Sequence, residues 1–175
     1  MSECFSHHLR LDQIRDGERI DLVANDGERE SIAMDLGLEA LGRLDAHAVL
    51  ERSGGVVRAT GRVQAALTQC CVVTGDPIAA HVDEPFDVTF TPDKPDHDPA
   101  AEIELEAKDC DTIFYDGGAI DLGQAVVETL ALSIDPFPRS AGADAALKEA
   151  GIMTEAEASP FAALAQLKGK LDSGN

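Results

Sequence analysis

The feature that most constrains the fold is an alternation of apolar and polar residues between positions 44 and 67, interrupted by Ser53-Gly54-Gly55. A period of two places every second side chain on one face of a strand, so one face can be buried while the other meets water. The Ser-Gly-Gly step supplies residues that tolerate positive φ, as a tight hairpin turn requires. We therefore predict a long antiparallel hairpin whose buried face carries Leu44, Ala46, Ala48, Leu50, Val57, Ala59, Gly61, Val63, Ala65 and Leu67.

Further strands are expected after this hairpin. Alternation resumes over residues 78–82 and 86–90, separated by Pro85, which is tolerable at a sheet edge or bulge. The polar residues 92–101 predict a loop, and short strands are predicted after it at 102–107 and 112–115. The sequence thus indicates a sheet of several strands.

Helices are predicted from caps and apolar spacing. Asn25 or Asp26 begins a helix that Gly37 ends, and Asp121 begins the strongest helix, which Asp135-Pro136 terminates. Shorter helices are predicted at 144–150 and after Ser159-Pro160. The predicted fold class is α+β, an antiparallel β-sheet packed by helices. One domain is expected over residues 1–140, with a helical C-terminal segment over 141–175.

The charge balance restricts the partners. Thirty-three Asp and Glu against 14 Lys and Arg give a net charge of −19. Nucleic acids and anionic lipid surfaces are held by basic patches, so direct binding to bare nucleic acid or to a membrane is disfavoured. The excess acid favours a basic partner, a cation, or simple solubility. No apolar run of about 20 residues and no secretory signal is visible, so the cytoplasm is the expected location.

Nothing in the sequence indicates a catalytic centre. The Gly-Gly pairs at 54–55 and 117–118 lack phosphate-loop spacing, and no G-x-S-x-G nucleophile motif occurs. The alternating Glu102, Glu104 and Glu106 share one face of a predicted strand, as solvated surface residues do. We therefore predict no enzymatic activity, no catalytic residue and no cofactor.

The cysteines leave two interpretations open. Cys70 and Cys71 stand where a strand enters a turn, the place where a zinc knuckle puts two thiols at C-x-x-C spacing. Thr74 occupies the position of the second thiol, so no metal ligands are assigned. Zinc could still recruit Cys70, Cys71, Cys110 or a histidine; otherwise these are reduced structural thiols at a buried turn.

The C-terminal segment also has two interpretations. An apolar stripe followed by lysines could dock on a partner, or it could cover the protein's own core. The candidate docking residues are Phe161, Leu164, Leu167 and Lys168.

Several segments together resemble one protein family. They are residues 61–77 with the paired cysteines, 24–36 with Glu28-Arg29, 86–90, 120–132 followed by Asp135-Pro-Phe-Pro138, and 159–168. In this combination the chain resembles the YceD family of large ribosomal RNA subunit accumulation proteins, particularly its alphaproteobacterial members. Many members carry C-x-x-C at the turn; here Cys71 takes the first place and Thr74 the second.

The resemblance implies a role in accumulation of large-subunit (23S) rRNA, without assigned catalytic residues. It points to a basic protein or ribosomal particle as partner, such as a large-subunit ribosomal protein, because family genes often neighbour the gene of a small basic one. Contact with rRNA is then expected to be indirect. The family motif, of unknown role, falls on Cys71, Thr74, Pro77, Asp121, Leu122, Glu128, Pro136 and Pro138. The alternatives are a metal- or thiol-site protein centred on Cys70 and Cys71, or a plain protein-interaction module.

Overall fold

The computed structural model describes residues 5–92 and 111–152 of the 175-residue chain. They divide into two compact units, the first formed by 5–69, 79–92 and 111–136, the second by 70–78 and 137–152. In chain order the elements are β1 (His8–Arg10), β2 (Glu18–Val23), α1 (Asp26–Asp35), β3 (Ala40–Ser53), β4 (Val56–Cys70), β5 (Pro77–Pro92), β6 (Thr112–Tyr115), β7 (Ala119–Asp121), α2 (Leu122–Ser133) and α3 (Ala143–Glu149).

The five longer strands form one sheet in the order β2-β3-β4-β5-β6, and β1 pairs with β7 in a small separate ladder. Strands β2, β3 and β4 pair in antiparallel fashion, whereas β6 lies parallel to β5. The predicted α+β class with a largely antiparallel sheet is confirmed, and the parallel β6 makes that sheet mixed.

The predicted hairpin is confirmed residue by residue. Ser53 faces Val56, which leaves Gly54-Gly55 as a two-residue turn, and Gly54 has a φ of +63°. Positive φ at the first turn position alone fits a type II′ turn, one of the two types whose twist suits a hairpin. Leu44, Leu50 and Val63 on the predicted inner face are at most 1% exposed. The alternation therefore determined both the pairing and the buried face.

Two strand predictions differ from the structure. Residues 78–82 and 86–90 belong to a single strand, β5, which runs through Pro85. Within the described residues, β6 pairs only with positions 89–92 of β5. Among these residues Pro85 therefore has a neighbouring strand on one side only. A proline is tolerated there because its missing N–H can point away from the paired side. Strands β1, β2 and β7 were not predicted, because three to six residues are too short to show a period.

The helix predictions are confirmed within the described residues. Asn25 and Glu28 form a reciprocal capping box at the start of α1, and Asp121 caps α2. Helix α3 is followed by Gly151 at a φ of +74°. The strand predicted at 102–107 and the helix predicted after Ser159 lie outside the described residues.

One hydrophobic core lies between the inner face of the sheet and the helices of the first unit. Ile32 of α1 and Leu122, Val126 and Leu130 of α2 belong to the same buried cluster as the inner residues of β3 and β4. The opposite face of these strands carries exposed side chains such as Arg58 and Arg62. Within residues 5–92 and 111–152, no helix is long and apolar enough to cross a membrane.

Candidate functional site

The residues singled out from the sequence fall in two places. One group lies at the turn after β4 and the segment after α2, in the second unit, and the other lies on and beside α2, in the first unit. The first group is Cys71, Thr74, Pro77 and Pro138, and the second is Asp121, Leu122, Glu128 and Pro136.

The cysteine turn is closed by backbone hydrogen bonds. The N–H of Cys71 donates to the carbonyl of Asp76 at 2.8 Å, and the N–H of Gly75 donates to the carbonyl of Cys71 at 2.9 Å. Gly75 has a φ of +76°, which favours glycine here. The N–H of Val72 donates to the carbonyl of Pro138 at 2.9 Å, which ties the turn to the segment after α2.

The Cys71 thiol is buried and surrounded by donors. Its Sγ accepts hydrogen bonds from the N–H of Ser140 at 3.2 Å and from that of Thr74 at 3.4 Å. Hydrogen bonds from the side chain and backbone of Ser140, followed by Thr74, lower the pKa of Cys71 to about 6 against the opposing effect of burial. The turn thus favours a thiolate, which is the form that binds metals and reacts as a nucleophile.

Thr74 fills the position of a second metal ligand with a hydrogen-bonded hydroxyl. Its Oγ1 lies 2.6 Å from Asp76 Oδ2 and 3.3 Å from Ser140 Oγ. A structural zinc site needs four ligands. Among the described residues no group of three or more His, Cys, Asp or Glu could hold a metal ion, and Cys110 lies outside them.

The second place is the beginning of α2. The Asp121 carboxylate accepts hydrogen bonds from Ser6 Oγ at 2.6 Å, His7 N at 2.8 Å and Gln124 N at 3.2 Å. Burial raises the pKa of Asp121, but the bonds from Ser6, His7 and Gln124 together outweigh it and leave that pKa below its usual value. Asp121 is therefore ionised, and its hydrogen bonds connect the N-terminal segment to the beginning of α2.

A close backbone approach holds the N-terminal segment against α2. A Cβ on Gly123 would lie 2.7 Å from the carbonyl oxygen of Phe5 and 2.8 Å from His7 N, so only glycine fits. The N–H of Leu122 donates to the carbonyl of His7 at 3.1 Å. Phe5, only 6% exposed, is thereby fixed beside α2.

Ser6 and His8 were not predicted as site residues. A catalytic triad requires the serine hydroxyl to bond to the imidazole, which the carboxylate then orients. Here the Ser6 hydroxyl donates to Asp121, and His8 Nε2 lies 3.8 Å from the same carboxylate with 71% of its side chain exposed. Asp121 is therefore a helix cap that also accepts hydrogen bonds from the N-terminal segment. No sequence motif indicates this arrangement.

A groove lies between α1 and α2, with a volume of about 140 Å³. Its apolar lining comes from Phe5, Ile32 and Val127. Asp35 and Glu128 are exposed acids at the same groove. The remaining lining residues are polar or acidic, namely Ser31, Asp121 and Gln124. We call this feature the α1–α2 groove; it joins an apolar floor to an acidic rim.

The other predicted site residues have simpler roles or lie elsewhere. Leu122 is 0% exposed and belongs to the core, so it is not available to a partner. Pro136 directly follows Asp135, whose carbonyl accepts a hydrogen bond from Gln69 Nε2 at 2.8 Å. Pro77 is the exposed first residue of β5. The docking residues predicted in the C-terminal segment, Phe161, Leu164, Leu167 and Lys168, lie outside the described residues and stay a prediction.

Comparison with known proteins places the chain in a family. No curated protein and no solved structure is significantly similar to the chain. Residues 59–168 match the family described as "Large ribosomal RNA subunit accumulation protein YceD". The match covers more than half of the 175 residues and includes the cysteine turn, Asp121 and Glu128. The chain therefore belongs to the YceD family of large ribosomal RNA subunit accumulation proteins.

Proposed function

We propose that the chain supports accumulation of large-subunit rRNA by binding a basic protein or ribonucleoprotein, without catalysing a reaction itself. The name of the matched family supports the accumulation role. The single observation that carries the mechanism is the distribution of charge: a net −19 in a chain whose arginines are largely engaged by its own aspartates.

Ion pairing within the described part of the chain leaves few of its cations for phosphates. Six arginines among the described residues form ion pairs with aspartates: Arg10, Arg29, Arg43, Arg58, Arg62 and Arg139. Another, Arg52, donates to the backbone carbonyls of Leu11 and Gly54. Affinity for bare RNA comes largely from cations that replace counterions on the phosphates. A basic partner, in contrast, is attracted by the remaining acids.

The non-enzymatic part of the proposal is supported by two places within residues 5–92 and 111–152 that carry a hydroxyl or thiol in a hydrogen-bond network. At the start of α2 the Ser6 hydroxyl donates to Asp121 and is not activated by an imidazole. At the cysteine turn, Cys71 is 3% exposed and its sulfur accepts hydrogen bonds from two backbone donors, so a substrate would have to displace them. Both arrangements are those of structural hydrogen-bond networks.

The proposal is tested by depleting the protein from its own cells and measuring the ratio of mature large-subunit to small-subunit rRNA. We expect the ratio to fall and to recover when the wild-type chain is supplied. An unchanged ratio would exclude the accumulation role for this chain. Catalysis would be indicated if purified chain altered precursor rRNA directly, with no other protein present.

A further inference from the structure

We propose that the α1–α2 groove is the docking site for a basic segment of a partner protein, which inserts an apolar side chain between Lys or Arg residues. This inference rests on the proposed function, because it identifies the surface that meets the basic partner. The groove is made by residues of the first unit alone.

The floor of the groove suits an apolar anchor. Phe5 and Ile32 are 6% and 4% exposed, and Val127 is half-buried between them and solvent. A volume of about 140 Å³ is small, so it fits one aliphatic or aromatic side chain and not a whole cofactor. Anchors of this kind, seated in a pocket, supply much of the affinity in protein interfaces.

The rim of the groove suits cations on either side of that anchor. Asp35 on α1 and Glu128 on α2 are exposed, and no Lys or Arg of the described residues forms an ion pair with either. Helix α2 contains no Lys or Arg at all. A segment that carries positive charge on both sides of its anchor would therefore meet a carboxylate on each wall.

Asp35 stands where helix stability disfavours it. It is the last residue of α1, and a carboxylate there faces the negative end of the helix dipole. The last turn of α1 contains no basic residue that would offset this cost. The helix dipole therefore gives no stabilising role to Asp35, and its carboxylate stays available to a ligand of positive charge.

The groove is held in shape before any partner arrives. Gly123 admits the N-terminal segment, and the Ser6 and His7 bonds to Asp121 fix Phe5 at the floor. A preformed site loses less conformational freedom on binding. A larger cavity of about 560 Å³ lies beside α1, and its lining includes Arg29. This arginine donates to the carbonyl of Ala24 and pairs with Asp26, so the larger cavity carries a positive charge that the α1–α2 groove lacks.

The first experiment uses a helical peptide of Leu and Lys as the probe and measures its binding to the purified full chain. The test variant Asp35→Asn/Glu128→Gln is matched by Glu84→Gln/Glu149→Gln, which removes the same charge at exposed positions that do not line the groove. We expect the test variant to bind about tenfold more weakly and the control variant within about twofold of wild type. A peptide with Ser in place of Leu should bind weakly to all three.

Equal weakening by both variants would overturn the proposal, because it would reveal attraction to net charge alone. Unchanged binding by the test variant would overturn it as well. An rRNA fragment that binds wild type tightly and loses its affinity for the test variant would assign the groove to RNA and not to a basic protein segment.

The second experiment places the same variants in depleted cells. We expect the control variant and wild type to restore the ratio of large- to small-subunit rRNA. We expect the test variant to fail although it accumulates like wild type and melts at no lower a temperature. If the test variant restores the ratio, the groove inference is wrong while the proposed function stands. If wild type itself fails to restore the ratio, the proposed function is wrong.

Discussion

The outer face of the sheet and the α1–α2 groove differ in whether their charged side chains have a partner of opposite charge. On the sheet, Arg58 lies against Asp87 and Arg62 against Asp83, so each cation has an acid from the neighbouring strand. In the groove, Asp35 and Glu128 have no cationic partner among the described residues. The two regions therefore differ in pairing: these two arginines of the sheet are paired with acids, whereas these two acids of the groove are not paired with cations of the described residues. An acid paired within the fold offers little charge to a partner, whereas an unpaired acid at a groove leaves its charge available.

The largest effect is expected where the sheet is most tightly built. A Cβ at Gly61 would lie 1.9 Å from the carbonyl oxygen of His47 on β3, so Gly61→Ala forces the two strands apart. We expect a loss of about 3 kcal/mol in the free energy of unfolding, measured by denaturant titration. Gly118→Ala is the control, since nothing lies within 4 Å of its added Cβ and its φ is not positive. Equal stability of the two variants would show that β3 and β4 can separate at Gly61 without cost.

The next largest effect concerns the support of the groove. Asp121→Asn should cost about 1 kcal/mol at neutral pH, because the carboxylate caps α2 and accepts from Ser6 and His7. The folded pKa of Asp121 lies below its unfolded value, so this contribution is complete above about pH 5 and lost as the pH falls through the folded pKa. The difference between wild type and variant should therefore shrink in acid. If the difference in the free energy of unfolding between wild type and variant stays constant with pH, the loss of stability comes from the changed side-chain shape and not from the lost charge.

A smaller effect of opposite sign is expected at Asp35. Replacing it by Asn removes a negative charge from the C-terminal end of α1, so Asp35→Asn should stabilise the fold by about 0.5 kcal/mol in thermal melts at low salt. Arg29→Gln, on the same helix, removes an ion pair with Asp26 and should not stabilise it. If Asp35→Asn destabilises the protein, the carboxylate has a structural role and the contrast between the two regions weakens.

The smallest effect is expected on the outer face of the sheet. Arg62→Gln breaks an exposed cross-strand pair with Asp83, and exposed pairs contribute little to stability. We expect the melting temperature to move less than for Asp35→Asn, and binding of the Leu/Lys peptide to be unchanged. A marked loss of peptide binding would place the partner on the sheet face instead of the groove.

The sequence predicted the hairpin because its alternation extends over more than twenty residues, from Leu44 to Leu67. It predicted α1 and α2 because their caps, Asn25 and Asp121, are local signals. Strands β1 and β7 were missed, since each has three residues and their pairing joins positions more than a hundred apart.

The groove was not predictable from local pattern either. Its floor brings together Phe5, Ile32 and Val127, which come from three distant segments. Glu128 was singled out through the family resemblance, whereas Asp35 was not singled out at all. The one signal that could have indicated Asp35 is an acid in the last turn of a predicted helix, where the dipole disfavours it.

The central claim, that the chain reaches rRNA through a cationic protein, is tested most directly by comparing its binding to two forms of large-subunit rRNA at about 0.15 M ionic strength. One form is naked rRNA and the other carries its basic ribosomal proteins. The account predicts binding to the protein-loaded form and none to the naked form. Equal, salt-sensitive binding to naked rRNA would contradict it.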